Sequence, residues 1–165
     1  MRAFLLALVL LAAPMAGCAG GQDPSSSGEQ APEWSLEDTD GEMHTRESTS
    51  GSPTVIFYMA TWCPSCEDMT SEMSQVHAEH GEQIDMLSAG VDPGETDQDL
   101  ETWKNEHDQP WPHGIDQEAQ LQQAYGVESQ SSVVVLDGEG QLVEGWGYGE
   151  ATAEDVSQAI ERVEG

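Results

Sequence analysis

Positive charge is what this chain lacks most: 4 lysines and arginines stand against 32 aspartates and glutamates in 165 residues. A surface that negative repels phosphate backbones and anionic headgroups, so nucleic acid and charged lipid faces are excluded as partners. The acids are spread along the chain rather than gathered into a tail, which places them on a folded surface and not in a disordered acidic segment. The composition suits a halophilic acidic protein, because molar salt shortens the screening length to about 3 Å and relieves self-repulsion. Cysteine is scarce as well, with 3 in the chain. Long apolar runs are missing except at residues 3–13, AFLLALVLLAA, which follow Arg2. That run is too short for a spanning helix and has the form of a signal-peptide core.

The run leads into Met15-Ala16-Gly17-Cys18. This resembles a lipoprotein signal, in which a small residue precedes a cysteine that is lipidated and becomes the mature N-terminus. The expected organisation is a signal peptide over 1–17, a lipidated Cys18 heading a flexible tether over 18–32, and a folded domain over 33–165. Residues 19–32, AGGQDPSSSGEQAP, are rich in Gly, Ser and Pro and carry no apolar period, as a tether should. The domain is then extracytoplasmic and held to the membrane by its lipid, on the periplasmic or cell-surface side.

Within the domain, Trp62-Cys63-Pro64-Ser65-Cys66 follows directly on the apolar run Val55-Ile56-Phe57-Tyr58-Met59-Ala60. A Cys-x-x-Cys between a strand and a helix puts the first sulfur at the helix N-terminus, where unpaired N–H groups and the macrodipole favour thiolate. The second sulfur sits one turn on, close enough to attack a mixed disulfide and resolve it. A Cys63–Cys66 disulfide would close almost no loop and stabilise little, which argues for a redox role over a structural one. Pro64 falls in the first turn, where its missing N–H costs nothing.

The remaining pattern alternates strands with helices. Trp34-Ser35-Leu36 and Met43-His44-Thr45 flank the turn Asp38-Thr39-Asp40-Gly41 as a hairpin. Residues 54–60 read as a central buried strand, and the next helix carries Met69, Met73 and Val76 on one face before Gly81 stops it. A strand over 84–91, a helix capped by Thr96 with Leu100, Trp103 and His107 on one face, and a short strand before Ile115 come next. A helix over 119–125 ends at Gly126, and Val133–Leu136 pairs with Gln141–Gly147 through Asp137-Gly138-Glu139-Gly140. The last helix opens on Thr152 and Asp155, with Val156, Ile160 and Val163 aligned. The expected architecture is α/β, three layers around a central mixed sheet.

These residues together resemble the thioredoxin superfamily, in particular its TlpA/ResA/CcmG-type thiol–disulfide oxidoreductases with a redoxin or AhpC-TSA-like domain. Ala31-Pro32-Glu33-Trp34-Ser35-Leu36 with Asp40-Gly41, the stretch Tyr58–Cys66, and Tyr125-Gly126-Val127 followed by Val133–Asp137 carry the likeness. A central βα insertion at about 84–115 separates this branch from plain thioredoxins. The resemblance implies a thioredoxin-like fold and a catalytic pair in which Cys63 attacks and Cys66 resolves. It implies substrate contacts at Trp62, Pro64, Gln130 and Ser131, and no cofactor beyond the redox-active disulfide. The partners it implies are a protein disulfide substrate such as apocytochrome c, a membrane thiol electron carrier, and the membrane itself through the N-terminal lipid, with the protein acting as a monomer. Glu67 and Asp68 beside the motif, with no cation near in sequence, disfavour thiolate and so favour a reductase.

Three positions depart from the family pattern. Ser131 stands where the family has a cis-proline, and a cis bond before a non-proline costs about 2.5–4 kcal/mol, so a trans bond is expected. Phe57 stands where thioredoxins bury the acid that assists the resolving cysteine. Glu95 is the candidate to replace that acid as proton acceptor, against the plainer reading of a solvated loop glutamate. The helix after the motif carries Ser71 near the place of the usual proline kink.

Two other functions fit parts of the sequence. Copper or zinc binding and delivery would use the two thiolates with a histidine, but His77 and His80 lie three to four turns along the helix, and His44, His107 and His113 have no assigned place. Met59, Met69 and Met73 have apolar neighbours and read as core. A peroxiredoxin-like thiol peroxidase would need a threonine at position 60, which is alanine, and a nearby arginine, which is missing between Arg46 and Arg162.

Overall fold

A computed structural model describes residues 31–164. The expected signal peptide, the lipidated Cys18 and the tether up to residue 30 lie outside the described residues. Ala31, assigned to the tether by composition, is buried and packs near Gly140.

Eleven elements follow one another among the described residues: β1 (Ser35–Glu37), β2 (Met43–Thr45), β3 (Thr54–Met59), α1 (Pro64–His80), β4 (Asp85–Gly90), α2 (Asp97–Glu106), β5 (His113–Ile115), α3 (Gln120–Tyr125), β6 (Ser132–Leu136), β7 (Leu142–Trp146) and α4 (Ala153–Glu164). The central sheet runs β5-β4-β3-β6-β7. β4 pairs parallel with β3 and with β5, while β6 pairs antiparallel with β3 and β7. The expected mixed sheet is present, with the β1–β2 hairpin as a separate two-stranded sheet.

β3 is buried along its whole length, which is why its sequence is an unbroken apolar run rather than an alternating one. Its side chains divide by parity. Val55, Phe57 and Met59 join Met69, Met73 and Val76 of α1 and Val156, Ala159 and Ile160 of α4 in one cluster. Ile56 and Tyr58 join Trp34, Leu36, Leu121 and Tyr125 in a second cluster on the opposite face. The sheet therefore has a helix-covered face and a face covered by α3 and the hairpin, giving the three layers. Tyr58 donates its hydroxyl to Leu121 O at 3.1 Å, fixing α3 to the sheet centre.

The helices begin and end where side-chain chemistry dictates. Thr96 and Asp99 form a capping box at α2, and Thr152 with Asp155 does the same before α4. α1 runs from Pro64 to His80 as one helix, as the serine at 71 allows. His113 in β5 is fully buried, and that burial holds its ring down to about 4, so it stays neutral between Trp111 O and the Gln109 side-chain amide. No helix among the described residues is long and apolar enough to cross a membrane.

Candidate active site

β3 delivers the chain to Ala60-Thr61-Trp62, and Cys63 opens α1 as its N-cap with φ −90° and ψ 113°. Ser, Thr, Asn or Asp usually fills that position, its oxygen accepting an orphan N–H. Here sulfur does so: Cys66 N–H donates to Cys63 Sγ at 3.2 Å and to Cys63 O at 3.0 Å. Cys63 Sγ thus takes the place of a capping oxygen and faces the N–H groups of the first turn. Pro64 at the first helical position gives up no bond.

Both cysteines are free thiols and both are buried. Cys66 is sealed in the helix-covered cluster beside Phe57. Its thiol is pushed up to about 12, chiefly by burial and then by its bond to Cys63, while the backbone amides of Ala60 and Ser131 pull the other way. Thus Cys66 stays protonated at neutral pH, which leaves Cys63 as the sulfur suited to attack.

Glu95, the candidate proton acceptor, is tied to the loop just before the motif. Its Oε1 accepts from Thr61 N–H at 2.6 Å and from the Thr61 hydroxyl, while Oε2 is buried with no hydrogen-bond partner. It braces the loop that leads into Trp62. Trp62 is 59% exposed, yet its indole N–H is held by Asp92 Oδ2 at 2.7 Å. Pro64 is exposed beside it, and Gln130 is half-buried across the site.

Ser131 is the unusual residue. It is fully buried and holds φ +59°, in the left-handed region that side chains rarely adopt. Among the described residues no peptide bond is cis, so Gln130–Ser131 is trans as expected. Its N–H donates to Tyr58 O at 2.7 Å, its carbonyl accepts from Gly149 N–H at 2.7 Å, and its Oγ lies 2.8 Å from Ser65 Oγ. Gly149 itself has φ +65°, and a Cβ there would stand 2.6 Å from Ser65 Oγ, so only glycine fits. The loop after β7 therefore folds onto the motif and carries Tyr148, 52% exposed, with it.

Ser65, Thr61, Asp92 and Gly149 all shape the site, and sequence reasoning passed over them. The one available signal was Gly147-Tyr148-Gly149, two glycines around an aromatic at the end of a strand. Electrostatically the site is one-sided. Glu67 stands in the first turn of α1, and Arg46, Lys104 and Arg162 are taken up by Glu33, Asp40 and Glu144. A hollow of about 420 Å³ next to the motif is walled by Thr61, Glu67, Asp99, Thr102, Trp103, Glu106 and His107, with three carboxylates and no lysine or arginine.

The histidines do not converge on the cysteines. His44 bonds Asp38 at 2.8 Å, His77 packs on Trp111, His107 on Trp103, and His80 lies buried with Glu79 at 4.0 Å. Among the described residues no three His, Cys, Asp or Glu side chains are grouped to hold a metal ion.

The AhpC/TSA family model matches residues 27–144. The thiol-disulfide oxidoreductase ResA of Geobacillus thermodenitrificans is 27% identical over 137 residues, covering 82% of this chain and 77% of that protein. Among solved structures, the pneumococcal exposed lipoprotein thioredoxin Etrx1 from Streptococcus pneumoniae superposes with a TM-score of 0.68 at 21% identity, over 79% of this chain and 98% of that one. Copper-bound ScoI of Bradyrhizobium japonicum superposes with a TM-score of 0.65 at 21% identity, over 81% of this chain and 98% of that one. Both structural likenesses are likenesses of fold.

Proposed function

The chain belongs to the AhpC/TSA family and is a thiol–disulfide oxidoreductase, and from that premise we propose that it reduces protein disulfides outside the cytoplasm through Cys63 and Cys66. The observation that carries this reading is the helix-capping sulfur of Cys63 with the buried, protonated Cys66 one turn behind it. Cys63 thiolate attacks one sulfur of a substrate disulfide, forming a mixed disulfide and releasing the other substrate sulfur as thiolate, which takes up a proton. Cys66 then gives up its proton, for which the buried, unpartnered Oε2 of Glu95 is the candidate acceptor, and attacks Cys63 Sγ. The Cys63–Cys66 disulfide forms, the second substrate thiolate leaves, and two electrons have passed to the substrate. Trp62, Pro64 and Gln130 line the approach to the pair, whereas Ser131, expected from the family pattern to contact substrate, is buried behind it, and Glu95 also holds the loop before Trp62.

Direction follows from charge. An oxidant of this fold needs its dithiol stabilised, usually as a thiolate facing positive groups. Here Glu67 and an acidic hollow stand near the pair while the three cations are bound elsewhere. The electrons come from a membrane thiol carrier, apocytochrome c is one fitting substrate, and the protein works as a monomer. Charged with dithiothreitol and freed of it, the protein should deliver two thiols to a disulfide-bonded protein for each molecule consumed; failure to do so in molar salt would refute the reductase reading.

Residues 1–18 support a lipid tether at Cys18. Cys18→Ala should move the protein from the membrane to the soluble fraction, and unchanged fractionation would remove the tether. The charge excess supports work in high salt: the melting temperature should rise by roughly 10 °C or more between low and molar salt. A flat response would contradict a halophilic design.

Peroxide reduction is the weaker alternative, since Ala60 cannot offer a hydroxyl and Arg46 and Arg162 are paired with Glu33 and Glu144. Metal delivery is weaker for the same kind of reason, because each histidine is engaged away from the cysteines.

A further inference from the structure

Ser131 holds a backbone conformation that is costly for a residue with a Cβ, and it does so fully buried at the edge of the dithiol. Strain of that kind persists only where several contacts enforce it, and three are present. The N–H is committed to Tyr58 O at the end of β3, the carbonyl to Gly149 N–H in the loop after β7, and the hydroxyl to Ser65 Oγ in the first turn of α1. Ser65 lies between the two cysteines in the motif, so this last contact ties the Ser129–Ser132 loop to the helix turn that carries Cys66. The Ser131 amide, committed to Tyr58 O, also faces the Cys66 thiol and favours its thiolate, after the larger effect of the Ala60 amide. A buried thiol whose proton must leave before it can act depends on where it is held relative to the few amides that face it, so the position of the turn that carries Cys66 matters.

We propose that the Ser65–Ser131 hydroxyl pair is a clasp that positions Cys66 for the second step of exchange, with Ser131 acting as a positioning residue through Ser65 rather than by touching substrate. The proposal rests on the two-step reading of the dithiol given above. It separates the roles of the two sulfurs: Cys63 takes its geometry from its own capping position, and Cys66 takes its from the clasp. Removing either hydroxyl should therefore leave the first step alone and slow the second. Because the two hydroxyls act on each other, removing both should be no worse than removing one.

Glycine is the clean substitution at 131, since it adopts positive φ freely and deletes only the hydroxyl; alanine would add a backbone penalty. At 65, Ser65→Ala deletes the hydroxyl and Ser65→Thr retains it. The reduced protein is mixed with excess 5,5′-dithiobis(2-nitrobenzoate) in molar salt and the release of thionitrobenzoate followed by stopped flow. Cys63 attack releases the first equivalent, and Cys66 attack on Cys63 Sγ releases the second. Ser131→Gly, Ser65→Ala and the double variant should each slow the second phase about tenfold, the rate equivalent of one hydrogen bond, with the first phase within about twofold of the parent. Ser65→Thr should restore the second phase, and the melting temperature of Ser131→Gly should not fall. A second phase unchanged in Ser131→Gly and Ser65→Ala, while the parent still releases two equivalents, overturns the clasp and leaves the dithiol reading standing. Release of one equivalent by the parent overturns both.

Discussion

Cys63→Ser will lower disulfide exchange by at least about a thousandfold and leave the fold in place, because a serine hydroxyl is no nucleophile toward disulfides at neutral pH. Cys63 is the N-cap of α1, accepting from Cys66 N–H, and serine is among the best residues for that position. The melting temperature should therefore change little or rise. Cys66→Ser should behave differently: the first attack continues, and the protein accumulates as a mixed disulfide with its substrate because nothing resolves it. Mass spectrometry of the trapped adduct checks this. A Cys63→Ser protein that still turns over, or a Cys66→Ser protein that traps nothing, is incompatible with the assigned order of the two sulfurs.

Ser131→Pro, the substitution that would bring the chain closer to its family's pattern, should destabilise it by about 3 kcal/mol or more. Proline locks φ near −65°, whereas Ser131 holds +59°. It would also abolish the N–H that donates to Tyr58 O and the hydroxyl that meets Ser65. The neighbours are built around serine: Gly149 must be glycine to sit against Ser65, and its N–H is committed to the Ser131 carbonyl. Urea unfolding of the variant in molar salt measures the loss. Stability equal to or above the parent would mean that the local structure readily accepts proline and that the clasp contacts contribute little.

Much of the frame is legible from local pattern. The uninterrupted apolar run at β3 correctly marks a strand buried on both faces, and the period of Met69, Met73 and Val76 correctly marks the inner face of α1. Thr96 and Thr152 mark helix starts because a capping box is a contact over three residues and leaves a local signature. Edge elements are less legible: β5 is three residues long, and its central feature, the neutral His113 between Trp111 and Gln109, has no pattern of its own.

The active site divides along the same line. Cys63, Pro64 and Cys66 are readable because their chemistry depends on spacing within one turn. Ser65 with Ser131 is not, since the two hydroxyls are 66 positions apart and nothing in either neighbourhood announces the other. Glu95 is a candidate proton acceptor on the family pattern, but its attachment to Thr61 across 34 positions comes only from the fold. Positive φ at Ser131 is likewise a tertiary consequence, as serine has no strong local preference for it.

The reduction potential of the Cys63–Cys66 pair is the most direct test of the whole account. It is measured by equilibration with thiol–disulfide buffers in molar salt and read through tryptophan fluorescence. A helix-capping Cys63 with no cation beside it and a protonated, buried Cys66 predict about −270 mV or lower, in the range of thioredoxin. A value near −120 mV, the range of a strong oxidant with a stabilised dithiol, would contradict it.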